Sequence, residues 1–182
     1  IYKNTAPEYT SPWVMPGNYT VRLKVNGETS SQPLIIKMDP RIKTSIKDLQ
    51  KQYDLSMICY EGGLQISNIS KETVSVHNQI RELMAKSKDD LHASLNSLDE
   101  KIKDIENVKT KDKLKNLSQV YNSFTSLFGS LQESDVAPTS NTIESVDASK
   151  KDFQQLEKVW MKIKTSDIPS VNRELKKAGL PV

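Results

Sequence analysis

The feature that most constrains the fold of this chain is a change in the spacing of its apolar residues near residue 41. Before this point, residues 19–25 alternate between apolar and polar, which is typical of a β-strand with one buried face. After it, apolar residues recur every three or four positions, which is typical of amphipathic helices. The sequence therefore predicts a mainly α protein, with a Pro-rich segment and β-hairpin at 1–41 and a helical bundle at 42–182.

The alternating segment predicts a β-hairpin. Asn26-Gly27 follows the first strand and suits a type I′ turn, because both residues tolerate positive φ. The returning strand is expected to reach about Met38, with a bulge or an edge position at Pro33, which has no N–H to donate. One face of the first strand carries the side chains of Tyr19, Val21, Leu23 and Val25.

The later periodicity predicts four main helices and a short C-terminal helix, arranged as an antiparallel bundle. The expected helices run from about Ser45 to Lys86, from 88 to 107, from 111 to 132, from an N-cap at Thr142, and from an N-cap at Asp167. Gly62-Gly63 weakens the middle of the first helix, because a helical glycine costs about 1 kcal/mol relative to alanine, and a kink or break there is the alternative to one continuous helix. The expected core consists of Leu95, Leu98, Ile102, Leu117, Phe124, Phe153, Leu156, Trp160 and Ile163.

Composition argues against several classes of protein. The net charge of +3 is too small to indicate a nucleic-acid-binding protein. No apolar stretch is long enough to cross a bilayer, so membrane insertion is not expected. The single cysteine, Cys59, has no partner for an intrachain disulfide and is expected to be a buried small residue.

Residues with catalytic chemistry are not grouped in the sequence. His77 and His92 fall on different predicted helices, and neither has a histidine or cysteine neighbour at a metal-binding spacing. No nucleophile elbow or phosphate-binding loop is present, and the carboxylates lie among lysines on polar helix faces. We therefore expect no catalytic residue, no metal and no cofactor, and the chain is predicted not to be an enzyme by itself.

Short motifs along the chain resemble a known family. Residues 16–23 read Pro-Gly-Asn-Tyr-Thr-Val-Arg-Leu and are followed by Asn26-Gly27 and by Asp39-Pro40-Arg41. This is similar to a signature near the C-terminus of exported bacterial proteins with sortilin-like or Asp-box (BNR-repeat) β-propellers, which are commonly labelled glycosyl hydrolases. Residues 135–139, Asp-Val-Ala-Pro-Thr, resemble a loop of that family, and Trp160 followed by residues 167–175 resembles its closing motif.

The resemblance implies a location and a context rather than a reaction. In this family the hairpin is similar to the last strands of an immunoglobulin-like domain, and a helical region follows. The propeller boxes, Ser-x-Asp-x-Gly-x-x-Trp, do not occur here, so no catalytic residue is carried over. The resemblance implies an exported protein (periplasmic, cell-surface or extracellular) associated with carbohydrate processing.

Two functions from different classes follow from these observations. The first is a non-catalytic C-terminal structural or interaction module of a larger exported protein, in contact with other domains of that protein or self-associating through the hairpin. The alternative is a carbohydrate-binding accessory domain, since aromatic side chains stack on sugar rings as well as at interfaces. The candidate carbohydrate or interdomain contacts are Tyr9, Trp13 and Tyr19.

Overall fold

The computed structural model of the chain describes residues 11–106 and 115–182. A two-stranded antiparallel sheet is followed by a helical bundle, which confirms the predicted mainly α fold. The elements are β1 (Gly17–Val25), β2 (Glu28–Ile36), α1 (Ile46–Met84), α2 (Asp89–Glu106), α3 (Leu117–Leu131), α4 (Ser140–Lys162), a π-helical turn (Ile163–Asp167) and α5 (Ile168–Lys177).

The hairpin turn is formed by the predicted pair. Asn26 has a φ of 50° and Gly27 a φ of 89°, as a type I′ turn requires. The pairing runs without interruption from Gly17 opposite Ile36 to Val25 opposite Glu28, so the bulge considered at Pro33 does not occur. Pro33 instead lies on an edge strand, and β2 ends at Ile36, before Met38.

Helix α1 is continuous through Gly62-Gly63. Its N-cap is Ser45, whose Oγ accepts a hydrogen bond from the Asp48 N–H at 3.1 Å. Gly62 is buried against α3, and a Cβ atom there would lie 2.5 Å from Phe124 Cε2. The glycine that weakens the helix locally is therefore the residue that allows the ring of Phe124 to approach its backbone.

Two helices have N-caps that differ from the prediction. α3 begins at Leu117, after an Asn116 N-cap whose side chain accepts from the Gln119 N–H while Gln119 Oε1 accepts from the Asn116 N–H. Residues 111–114 of the predicted helix lie outside the described residues. α4 is capped by Thr139, not by Thr142, because Thr139 Oγ1 accepts from the Thr142 N–H at 3.2 Å.

α5 begins directly after Asp167, as predicted, but the Asp167 side chain forms no capping hydrogen bond. The chain stays helical from α4 into α5 through the π-helical turn, and Asp167 itself has helical dihedral angles. Pro169 has no N–H for the regular α-helical bond to the residue four before it, and the wider turn accommodates this. The carboxylate of Asp167 instead contacts Lys101 Nζ on α2 at 2.6 Å.

The core of the bundle matches the prediction. α1 packs against α2, α3 and α4, and α5 packs against α2. All nine expected core residues are buried. The helical spacing of α3 also predicts burial of Tyr121, between Leu117 and Phe124, but Tyr121 is exposed and Val120 is buried instead. Among the described residues, no helix is long and apolar enough to cross a membrane.

Candidate functional site

Cys59, His77 and Asp99 are engaged in helix packing. Cys59 is buried, as predicted, and burial raises the pKa of its thiol to about 12, so the thiolate is not formed at neutral pH. His77 Nδ1 on α1 lies 2.6 Å from Asp99 Oδ1 on α2, and Lys103 Nζ lies 2.8 Å from Asp99 Oδ2. The His77–Asp99 contact joins two helices at a largely buried carboxylate, and the Lys103–Asp99 contact lies within α2. Within the described ranges, no cluster of three or more His, Cys, Asp or Glu residues could hold a metal ion.

A second polar cluster links α1 to α4 and to the π-helical turn that follows it. The buried indole of Trp160 on α4 donates from Nε1 to Glu72 Oε2 at 2.9 Å, and Lys164 Nζ lies 2.8 Å from the same oxygen. Hydrogen bonds from Lys164 and from Trp160 lower the pKa of Glu72. The ammonium group of Lys164 also lies 5.8 Å from the centre of the Trp160 ring. This arrangement satisfies the polar atom of a core tryptophan.

Two buried glutamines form hydrogen bonds at the end of the bundle next to the hairpin, and one of them, Gln132, also binds the N-terminal segment. Gln132, after α3, accepts from the Trp13 N–H at 2.8 Å and donates from Nε2 to Ser56 Oγ at 2.8 Å. Gln52 on α1 donates to the carbonyl oxygens of Leu131 and Ser134. The Trp13–Gln132 hydrogen bond therefore attaches the segment before β1 to one end of the bundle, and the other hydrogen bonds of the two glutamines hold that end of the bundle together.

The segment between β2 and α1 is ordered by its own contacts. Arg41 forms a two-pronged ion pair with Asp39, with Nη2 2.6 Å from Oδ2, and this side-chain hydrogen bond lowers the pKa of Asp39. Thr44 Oγ1 donates to the Asp135 carbonyl oxygen at 2.6 Å. A cavity of about 210 Å³ lies between this segment and the bundle, lined in part by Trp13, Ile36 and Tyr53.

The strands themselves extend away from this junction. No Cα atom of β1 or β2 comes within 8 Å of a Cα atom in a described helix. The apolar side chains on one face of β1 form a continuous row, which is 37–63% exposed. We call this row the β1 apolar column; it consists of Tyr19, Val21, Leu23 and Val25. Scattered exposed apolar residues are ordinary, whereas a contiguous row of them is a feature of interaction surfaces.

The three residues singled out from the sequence have different outcomes. Tyr9 lies outside the described residues. Trp13 is 46% exposed at the junction, where its backbone N–H is bound by Gln132. Tyr19 belongs to the β1 apolar column, and its hydroxyl donates to the Met15 carbonyl oxygen at 2.6 Å. Trp13 and Tyr19 thus lie at the base of the hairpin, near its connection to the bundle.

The glutamines of the junction were not identified from the sequence. Gln52 follows Leu49 by three positions and precedes Ser56 by four, so it occupies a position on the buried stripe of α1. Gln132 directly follows the last buried leucine of α3. A glutamine at a stripe position is the signal that could have identified Gln52, because buried polar side chains need partners. Gln132 lies past the periodic segment and gives no such signal.

Comparison of the chain with protein-family models, with curated proteins and with solved structures found no match. The similarity to propeller-containing exported proteins therefore depends on the short motifs alone. The features that support a functional proposal are the β1 apolar column and the junction that attaches the hairpin to the bundle.

Proposed function

We propose that this chain is a non-catalytic structural and interaction module, in which the bundle is a rigid base and the hairpin binds another domain or protein. The observation that carries the proposal is the exposed β1 apolar column. Burying a large apolar side chain contributes about 1.5–3 kcal/mol, so covering this row would stabilise a complex considerably. A two-stranded hairpin is also marginal in water without a further strand or a packing surface.

The junction supports the same function. Gln132 binds the Trp13 N–H in the segment before β1, and Thr44 in the segment after β2 donates to the Asp135 carbonyl oxygen, so both segments beside the hairpin are attached to the bundle. A surface held in one orientation loses less conformational entropy on binding than a flexible one. The bundle thereby presents the hairpin in a fixed position, as a docking module requires.

The wider context of the proposal comes from the sequence motifs. From the resemblance we infer that the partner is another domain of an exported protein of the glycosyl hydrolase type, and that the hairpin completes an immunoglobulin-like domain. In that context the chain contributes contacts and no reacting group. The isolated chain is then expected to show no glycosidase, esterase or peptidase activity, and turnover lost on changing one of its own carboxylates would overturn this.

Site-specific photo-crosslinking tests the docking function. p-Benzoylphenylalanine is introduced at position 23, on the β1 apolar column, in the full-length product of the coding sequence. The matched control carries it at position 74, since Val74 is similarly exposed on α1. We expect one defined crosslink from position 23, mapped by mass spectrometry to a β-strand region and lost in Val21→Asp. Equal yields from both positions would contradict the proposal.

A glycan array distinguishes the carbohydrate-binding alternative. Binding of a saccharide that is lost in Trp13→Ala and in Tyr19→Ala, with no crosslink from position 23, would favour an accessory carbohydrate-binding domain.

A further inference from the structure

The register of the hairpin determines which backbone groups face outward. In an antiparallel pair, residues opposite each other alternate between pairs that exchange both hydrogen bonds and pairs that exchange none. The pair that flanks a two-residue turn is a bonded one, here Val25 and Glu28. The next pair, Lys24 and Thr29, therefore directs its N–H and C=O groups away from the hairpin, and the alternation continues to its base.

Proline at position 33 follows this alternation. Pro33 lies opposite Thr20, which is an outward-facing pair. Its missing N–H therefore costs no hydrogen bond inside the hairpin, which explains why the pairing continues without a bulge. The same proline interrupts the row of outward donors on β2, between Ser31 and Ile35, and this obstructs the addition of a strand at that edge.

The edge of β1 has no such interruption. Its outward-facing residues are Asn18, Thr20, Arg22 and Lys24, each of which has an N–H group. All four are exposed, and in the described ranges none of their backbone groups bonds to anything. The β1 apolar column lies along this same edge, whereas the residues opposite it on β2 are mainly polar. An added strand would thus bring its own side chains beside the apolar row.

The other face of β1 is positively charged. Arg22 and Lys24 lie on it, opposite Ser31 and Thr29, and neither forms an ion pair with a described residue. β1 contains no carboxylate, so two copies paired through β1 would place four cations on one face with no anion. Like charges on neighbouring strands are destabilising, which disfavours a second copy as the occupant.

We infer that β1, and not β2, accepts an additional β-strand, and that this strand alternates apolar residues with acidic ones. The apolar residues would cover the β1 apolar column, and the carboxylates would face Arg22 and Lys24. This inference rests on the proposed docking function and specifies its mode, which is pairing at an edge.

Amide hydrogen exchange on the full chain tests it, with a short capped peptide of alternating valine and glutamate as the probe. The control is a peptide of the same length that alternates valine and lysine. We expect the glutamate peptide to protect the amides of Thr20, Arg22 and Lys24 and to leave those of Ser31 and Ile35 unchanged. The lysine peptide is expected to bind about tenfold more weakly, from the effect of two cross-strand charge pairs.

Two variants keep the test independent of folding defects. The double change Arg22→Glu and Lys24→Glu, both at exposed positions, is expected to reverse the preference between the two peptides. Pro33→Thr restores the missing donor and is expected to allow protection of Ser31 and Ile35 as well.

The outcomes separate this inference from the docking function. Peptide contacts on the β1 apolar column without protection of the outward β1 amides would overturn edge pairing and leave docking by the face intact. Equal protection of both edges in the unmodified chain, or no protection by either peptide, would also overturn the inference. The docking function is tested separately by the crosslinking experiment, and it fails if positions 23 and 74 give equal yields.

Discussion

The bundle and the hairpin use apolar residues in opposite ways. In the bundle, the apolar stripes of different helices pack against one another. The residues buried in this way include Ile102 on α2, Phe124 on α3, and Leu156 and Trp160 on α4. The β1 apolar column is as regular as these stripes, and yet it is exposed. The difference shows that apolar periodicity predicts a surface to be covered, while the covering group need not belong to the same chain.

The largest expected difference between the two regions is in the cost of removing a side chain. Phe124→Ala should lower the free energy of unfolding by about 3–5 kcal/mol, because it leaves a cavity in the core. Leu23→Ala, at a 63% exposed position, should change it by about 0.5 kcal/mol or less. Urea denaturation with unchanged m-values measures both. A large loss from Leu23→Ala would show that the hairpin belongs to the cooperative core.

The junction between the regions should be the next most sensitive. Gln132→Leu removes the acceptor of the Trp13 N–H and the donor to Ser56, so the unfolding free energy should fall by about 1–3 kcal/mol. Exchange of the Trp13 amide should accelerate while α3 stays protected. Gln65→Leu, at an exposed glutamine on α1, is the matched control, with an expected change within about 0.5 kcal/mol. Equal changes in unfolding free energy for the two variants would show that the hydrogen bonds of the junction contribute no specific stability.

Alanine substitutions at the two adjacent glycines of α1 should change stability in opposite directions, because only one of the glycines faces the core. Gly62→Ala should destabilise the fold, because overpacking against Phe124 costs about 1–3 kcal/mol and exceeds the helix propensity gained. Gly63→Ala should stabilise it by up to about 1 kcal/mol, since the nearest atom to the new Cβ would be Tyr121 Cε2, at 3.9 Å. Thermal unfolding of the two variants gives the comparison, and effects of the same sign would contradict it.

The smallest expected effect is the pH dependence at Glu72. Its pKa is lowered below the ordinary 4.5, so its contribution to stability is present above that value and is lost as pH falls through the lowered pKa. Because the ion pair is exposed to solvent, Glu72→Gln should cost at most about 1 kcal/mol at neutral pH. The two proteins should become equally stable in acid. A difference that persists there would assign the effect to packing.

The sequence was sufficient for the elements whose pattern is local. The hairpin turn follows from Asn26-Gly27, and the core stripes follow from leucine and phenylalanine spacing, because both depend on residues close together in the chain. One long first helix was predicted, but whether it breaks at Gly62-Gly63 was left open, since the contact that explains Gly62 is with a ring contributed by α3. The starts of α3 and α4 were missed because several polar residues near each boundary were equally plausible caps.

The site was predictable to a smaller extent. The alternation of β1 predicts an apolar face, but its exposure follows from the position of the hairpin outside the bundle, which no local pattern specifies. The hydrogen bonds of Gln132 to Trp13 and to Ser56 span 119 and 76 positions of the chain, and for that reason only the folded structure brings these residues together.

The measurement that tests the central claim most directly is native-state hydrogen exchange of the chain alone. If the bundle is stable by itself and the hairpin needs a partner for full stability, the amides of Val21 and Leu23, which bond across the hairpin, should exchange by local opening. Their opening free energy should be well below that of Val120 and Phe124 on α3, which should exchange only by global unfolding. Hairpin amides as strongly protected as those of α3, in a monomeric protein, would contradict the account, because the hairpin would then need no partner.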